Sequence, residues 1–268
     1  ATGFAYEVVV VMDQKDWKGP AGEAIKSELA SSVPGLPQAE PSLKITYVQP
    51  KDFTGLLRYV RNILVVTIDP TAYTKVSVGY ENNVWARGQV VVSLKAPNTE
   101  SIVEYSKTHE KALVNFFVKV EMNRAIEQLQ KEYSMVVMDN LKSDLNVMLN
   151  APANFTYYKD TTDFFWSSNN ANTGRMDLIV YTFPYTDPNT FTEEYLVAKR
   201  DSVLKANLPG SFPGSYMQTE TRAGVEYTPI TLSGKYCGVM RGLWRMQGDM
   251  MGGPFVSYTT VNQATNEV

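Results

Sequence analysis

Apolar runs and polar breaks divide the chain into short segments of two periods. Residues 6–12 read Tyr-Glu-Val-Val-Val-Val-Met, β-branched and almost free of polar alternation, the pattern of a strand covered on both faces. Residues 20–31 place Ala21, Ile25 and Leu29 four apart, as one face of a helix requires, and Val33-Pro34-Gly35 stops them. Leu43, Ile45 and Tyr47 alternate with Lys44 and Thr46 in a second strand. Residues 51–59 predict a short helix with Phe53, Leu56, Leu57 and Val60 on its apolar side. Residues 62–68 return as a buried strand, and 75–80 and 89–96 are two more strands around the turn Glu81-Asn82-Asn83.

Pro97-Asn98-Thr99 marks a helix start, with Asn98 or Thr99 able to accept from free backbone N–H groups. Ile102, Tyr105, His109, Leu113, Phe116, Phe117, Val120, Arg124, Ile126 and Leu129 then recur at steps of three and four, predicting one long helix. A second helical stretch covers 132–145, before Pro152. From Asn154 the composition shifts: Tyr157, Tyr158, Phe164, Phe165 and Trp166 crowd together, and 167–174 is a polar loop. A strand over 177–183, a helix capped by Thr192 and ended by Leu208-Pro209-Gly210, and strands over 227–232, 236–246 and 255–261 complete the chain.

Strand, helix and Pro-Gly-x-Pro-like corner occur in both halves, at an offset of about 175, and Val60-Arg-Asn-Ile-Leu64 echoes Met240-Arg-Gly-Leu-Trp244. Two readings stand: an internal repeat, or two ordinary helix ends. The repeat predicts an α+β protein of two similar packed units with mostly antiparallel sheets and one long helix between them. Residues 1–150 form the first unit and 151–268 the second, which would lack a last strand beyond Val268.

With 25 Lys+Arg against 28 Asp+Glu, the net charge of −3 supplies no field for nucleic acid. One cysteine, Cys237, and one histidine, His109, exclude an internal disulfide and would leave zinc to be held almost wholly by oxygen, so no metal is expected, and no cofactor is expected either. No apolar run is long enough to cross a bilayer. An opening Ala-Thr-Gly without Met, basic segment or leader-like apolar region reads as a chain that begins after something has been removed, by processing or by the choice of the expressed segment.

Candidate chemistry concentrates between Tyr236 and Phe255. Arg241, Trp244, Arg245, Asp249, Met250 and Met251 fall there around a Gly-Gly-Pro corner, with Arg200 on the helix before them as a further contributor. Guanidinium, indole and thioether groups on a strand and adaptable loop suit a carboxylated, phosphorylated or aromatic ligand. The plainer reading has the arginines paired with carboxylates, Trp244 filling a core and Lys199-Arg200-Asp201 on a solvated helix face. Tyr157, Tyr158, Trp166, Tyr181, Tyr185 and Tyr195 could line a glycan or peptide face, or pack a junction. His109 reads as a partly buried core-side imidazole and Cys237 as a packed thiol. Neither G-x-S-x-G nor a phosphate-cradling glycine pattern is present, and no catalytic residue can be assigned.

Ala1-Thr-Gly-Phe-Ala-Tyr-Glu-Val, Pro34-Gly-Leu-Pro37, Val60-Arg-Asn-Ile-Leu64, Val84-Trp-Ala-Arg-Gly-Gln89, Lys199-Arg-Asp-Ser-Val203, Arg241-Gly-Leu-Trp244 and Gly248-Asp-Met-Met-Gly-Gly-Pro-Phe-Val256 resemble a family of uncharacterised lipoproteins from Bacteroidetes. The likeness spans the chain. It implies an acylated Cys shortly before Ala1, a continuation past Val268, and a place in the cell envelope on the periplasmic side of a membrane, held there by the lipid alone. The expected function is non-enzymatic binding of an envelope protein, peptide or glycan. The alternative is a hydrolase acting on an envelope polymer through carboxylates such as Asp249.

Overall fold

The structure, a computed structural model, describes residues 1–36 and 38–268. Pro37, the end of the Pro-Gly-Leu-Pro corner, lies outside the described residues. Two compact units emerge: Ala1–Val33 with Ala39–Ala125, and Pro34–Gln38 with Ile126–Val268.

The first unit holds β1 (Glu7–Val11), α1 (Gln14–Trp17), α2 (Pro20–Leu29), β2 (Lys44–Val48), β3 (Asn62–Ile68), β4 (Ser77–Asn82), β5 (Val90–Ala96), α3 (Thr99–Thr108) and most of α4 (Ala112–Lys131). Its sheet runs β2-β1-β3-β5-β4, parallel except for the β4 edge. The unalternating Val8–Met12 run is explained by burial on both faces. Val8, Val10 and Met12 join Ile25, Leu29, Leu94, Leu113 and Phe117 in one cluster, while Val9 and Val11 join Phe53, Ile63 and Val91 in another.

The predicted single helix is two. Asn98 caps α3, its side chain accepting from Ser101 N–H at 2.9 Å, and α3 closes at His109. Lys111, at φ +61°, breaks the backbone before α4. His109 is therefore exposed at a joint, not on the core side, and stacks on Tyr105 with ring centroids 4.3 Å apart. Glu121, buried on α4, receives Arg61 at 3.0 Å, Arg124 at 2.6 Å and the Asn62 amide at 2.7 Å, fastening α4 to β3.

The second unit holds α5 (Met135–Asp144), β6 (Tyr157–Thr161), β7 (Phe164–Ser168), β8 (Asp177–Tyr181), α6 (Glu193–Asn207), β9 (Tyr216–Thr219), β10 (Glu226–Leu232), β11 (Lys235–Gln247) and β12 (Gly252–Thr259). One antiparallel sheet runs β6-β7-β8, and the other runs β10-β11-β12 with β9 also on β11. α5 packs Val137 and Leu141 on Phe155 and Phe165. That contact ties α5 to this unit, which begins at Ile126, whereas the composition shift puts the boundary at 150.

The protein is α+β, with most strand pairings antiparallel. The two units differ in strand order and direction, since the centre of the first sheet is parallel and both sheets of the second are antiparallel. The echoed Pro-Gly segments thus follow two helix ends without a common strand order behind them.

Glu28 of α2 caps α4 from a distance, its Oε1 accepting from Leu113 N–H at 2.7 Å, while Oε2 is buried without a partner among the described residues. Burial pushes its pKa above the ordinary 4.5, outweighing that bond. A carboxyl whose folded pKa is raised favours folding least once it must ionise, so stability is lost as pH rises from about 4.5 through the raised value. Urea unfolding of Glu28→Gln, which keeps the accepting oxygen, should show a flatter pH profile over that interval than the unsubstituted protein. Identical profiles would show that Glu28 titrates freely.

Candidate functional site

β11 pairs with three strands, and its alternation sorts the candidate residues. Arg241, Leu243 and Arg245 share one face with their β12 partners Val256, Pro254 and Gly252; Met240, Gly242, Trp244 and Met246 point to the other, with Ser257, Phe255 and Gly253 opposite the first three. Arg241 and Arg245 therefore lie on the opposite side of the sheet from Trp244.

The Trp244 face packs against α6. Arg200, only 6% exposed, lays its guanidinium 4.0 Å from the Phe255 ring centroid, and its Nη1 donates to Thr219 Oγ1 at 2.9 Å. Thr219 Oγ1 in turn donates to Asp201 Oδ1 at 2.7 Å, and Thr219 N–H donates to the same oxygen at 2.7 Å. Arg200 and Asp201 thus meet through one hydroxyl, 3.6 Å apart at their nearest atoms, although adjacent helical residues point in different directions. Burial lowers the Arg200 pKa and raises the Tyr181 phenol to about 12. Arg200 is a packed, internally satisfied group; the solvated-helix-face reading fails because Phe255 and Thr219 cover it. Trp244 lies over Gly253, where a Cβ would come 3.1 Å from the indole nitrogen, and Met240 and Met246 are buried.

The arginine face is more open. Arg245 Nε stands 3.4 Å from Glu220 Oε2, and the Gln218 carboxamide, oriented with its oxygen inward, accepts from Arg245 Nε at 3.1 Å. Glu220 also receives Arg222 at 2.6 Å. The Arg222 hydrogen bond, with Arg245 adding to it, pulls the Glu220 pKa down to about 2. Arg241 is half-buried, and among the described residues its guanidinium has no ion-pair or hydrogen-bond partner. Its stem is pressed by Gly35: at φ +79° this position favours glycine, and a Cβ there would sit 2.6 Å from Arg241 Cβ.

At the hairpin tip Gly248 turns the chain at φ +82°, Asp249 Oδ1 accepts from Met250 N–H at 2.6 Å, and Met246 N–H donates to Met251 O at 2.8 Å. Asp249 therefore holds its own loop. Met250 is fully exposed and Met251 about half so.

The other aromatics mostly pack. Tyr181, Phe183 and Tyr195 form a run of rings 6.2–6.3 Å apart, and Tyr185, Phe191 and Tyr236 form another at 5.0–5.9 Å. Tyr157 and Tyr158 are exposed but, as neighbours on β6, point to opposite faces. Cys237 is buried, and burial raises its thiol pKa. One pair no spacing announces is Asp144 with Asp160: desolvation and a hydrogen bond to Asp144 push Asp160 up, while that bond pulls Asp144 down. Among the described residues no group of three or more His, Cys, Asp or Glu is placed to hold a metal ion, and no helix is long and apolar enough to cross a membrane.

The second α+β unit presents the β11–β12 hairpin that carries most of the candidate residues. The chain belongs to the family of the domain of unknown function DUF4837, whose model matches residues 134–268, and residues 1–130 match a further domain of unknown function, DUF8532. No curated protein and no solved structure matches the chain.

Arg200→Ala should lower the unfolding free energy by about 3 kcal/mol, because Asp201 and Thr219 lose a buried charged partner. Arg200→Lys should recover little, lacking the planar group that covers Phe255. Urea denaturation measures both; a change under about 0.5 kcal/mol for Arg200→Ala, the range of a surface substitution, would contradict the packed assignment.

Proposed function

We propose that this protein is a non-enzymatic binding protein of the cell envelope, held to a membrane by lipid, whose β11–β12 hairpin contacts a protein, peptide or glycan partner. One observation carries the reading: Met250, Met251, Val256 and Tyr258 are exposed along one hairpin, beside an Arg241 whose guanidinium makes no ion pair or hydrogen bond among the described residues. Single exposed apolar residues are ordinary on a protein surface, but several along one strand and its tip favour contact with another molecule. Methionines adapt to irregular surfaces, and arginine and aromatic residues are enriched where interfaces are strongest.

The hydrolase alternative draws less support. Glu220, the carboxylate facing Arg245, is held near 2, far too acidic to donate a proton near neutrality. Asp249 is engaged by its own loop. Asp160 is the raised carboxyl of the second unit, and it shares its face of β6 with Phe165, beside the α5 cluster and on a different sheet from the hairpin. The lipid-anchored location rests on the family resemblance of the Arg241–Trp244 and Gly248–Val256 motifs.

A photo-crosslinking amino acid at position 250 of the full-length precursor, in its own cells, should give one discrete adduct, and radiolabelled fatty acid should enter the same protein. The same crosslinker at buried position 204 should give none. Absence of the adduct would contradict the binding surface, and absence of lipid label would contradict the location.

A further inference from the structure

β12 lies at the edge of its sheet: among the described residues it pairs with β11 and with no other strand. An edge presents a row of unpaired N–H and C=O groups, which proteins usually guard with charged side chains. Gly252–Thr259 reads Gly-Gly-Pro-Phe-Val-Ser-Tyr-Thr and carries no charge at all. Pro254 guards its beginning, but residues 255–259 have no such device. Val256 and Tyr258, 54% and 55% exposed, stand on the face that holds Arg241.

That face carries surplus positive charge, although the whole chain is at −3. Glu220 already serves two guanidiniums, those of Arg222 and Arg245. Arg241, directly across from Val256, is served by none among the described residues, and Glu226, its register partner on β10, makes no ion pair with it. A partner that completes this face must bring a carboxylate as well as a backbone.

We propose that an extended polypeptide segment adds to the free edge of β12 as a further strand and places an Asp or Glu of its own beside Val256, where it meets Arg241. The inference rests on the binding reading above and names its partner. Adjacent strands lie about 4.8 Å apart, so the incoming residue stands roughly 10 Å from the Arg241 backbone, a gap two long side chains close across Val256. Backbone pairing along residues 255–259 supplies affinity without sequence preference. The carboxylate fixes register, and apolar residues two positions to either side cover neighbouring exposed groups such as Tyr258.

The probe is a phage-displayed library of random seven-residue peptides, selected on the purified chain. Selected peptides should carry Asp or Glu flanked two residues away by β-branched or aromatic side chains. Arg241→Ala should weaken a synthetic selected peptide at least about tenfold, because a charged pair at an interface is being broken. Arg241→Lys should recover part of the loss, Val256→Lys should also weaken binding, and peptide should slow amide exchange across residues 255–259. Circular dichroism establishes that each variant is folded, and the lysine variant keeps the test open if Arg241→Ala unfolds. An empty selection, peptides indifferent to Arg241, or amides unchanged on binding would overturn the proposal. So would a concentration-dependent dimer dissociated by Val256→Lys, which would make a second copy of the chain the occupant. If these fail while the position-250 adduct persists, strand addition falls and the hairpin surface stands; if both fail, both fall.

Discussion

The register of β11 against β12 is the constraint on which the candidate site depends. Arg241 stands opposite Val256 and Trp244 opposite Gly253, and a slip of one residue would exchange the faces. The arginines would then meet α6 and the indole would meet solvent. Register is held by size as much as by hydrogen bonds. Trp244 needs the bare backbone of Gly253, Phe255 needs Gly242 opposite it, and Arg241 needs Gly35 against its stem. The glycines that first look like loop punctuation are therefore places where a large neighbour lies flat on the chain.

A second theme is how each unit treats buried charge. Arg200 is taken out of water by an aromatic ring, a hydroxyl and a neighbouring carboxylate; Glu121 by two arginines and an amide. Such groups are weak sources of net stability but cannot be left half-satisfied. Glu28 and Asp160 are incomplete cases, each with one buried oxygen that has no partner among the described residues and each with a pKa displaced upward by desolvation. Against this background the unserved Arg241 guanidinium stands out, because the same unit satisfies Arg200 and Arg245 internally.

Much of the fold could be read from local pattern. The valine run of β1, the Asn98 and Thr192 caps and the long β11 strand depend on periodicity and end chemistry, which short windows carry. Strand direction, the break at Lys111 and the β6–β7 hairpin could not, because they depend on distant partners or on a single left-handed residue. β9, at four residues, is too short to announce itself, and with it Thr219, Gln218 and Glu220 stayed hidden as the partners of Arg200 and Arg245. The seven candidate residues were close in sequence or adjoining elements, but strand parity alone already separates Arg241 and Arg245 from Trp244. Period two was the signal available, and it divides the cluster into a packed half and an open half.

The open half, the arginine-bearing face and tip of the hairpin, is the surface proposed to meet another molecule. Since Cys237 is buried with its thiol pKa raised, Met250→Cys gives a chain with one reactive thiol. Maleimide labelling of that thiol should be fast in the purified protein and several-fold slower in intact cells, where the partner covers the tip. Equal rates in the two settings would contradict the account.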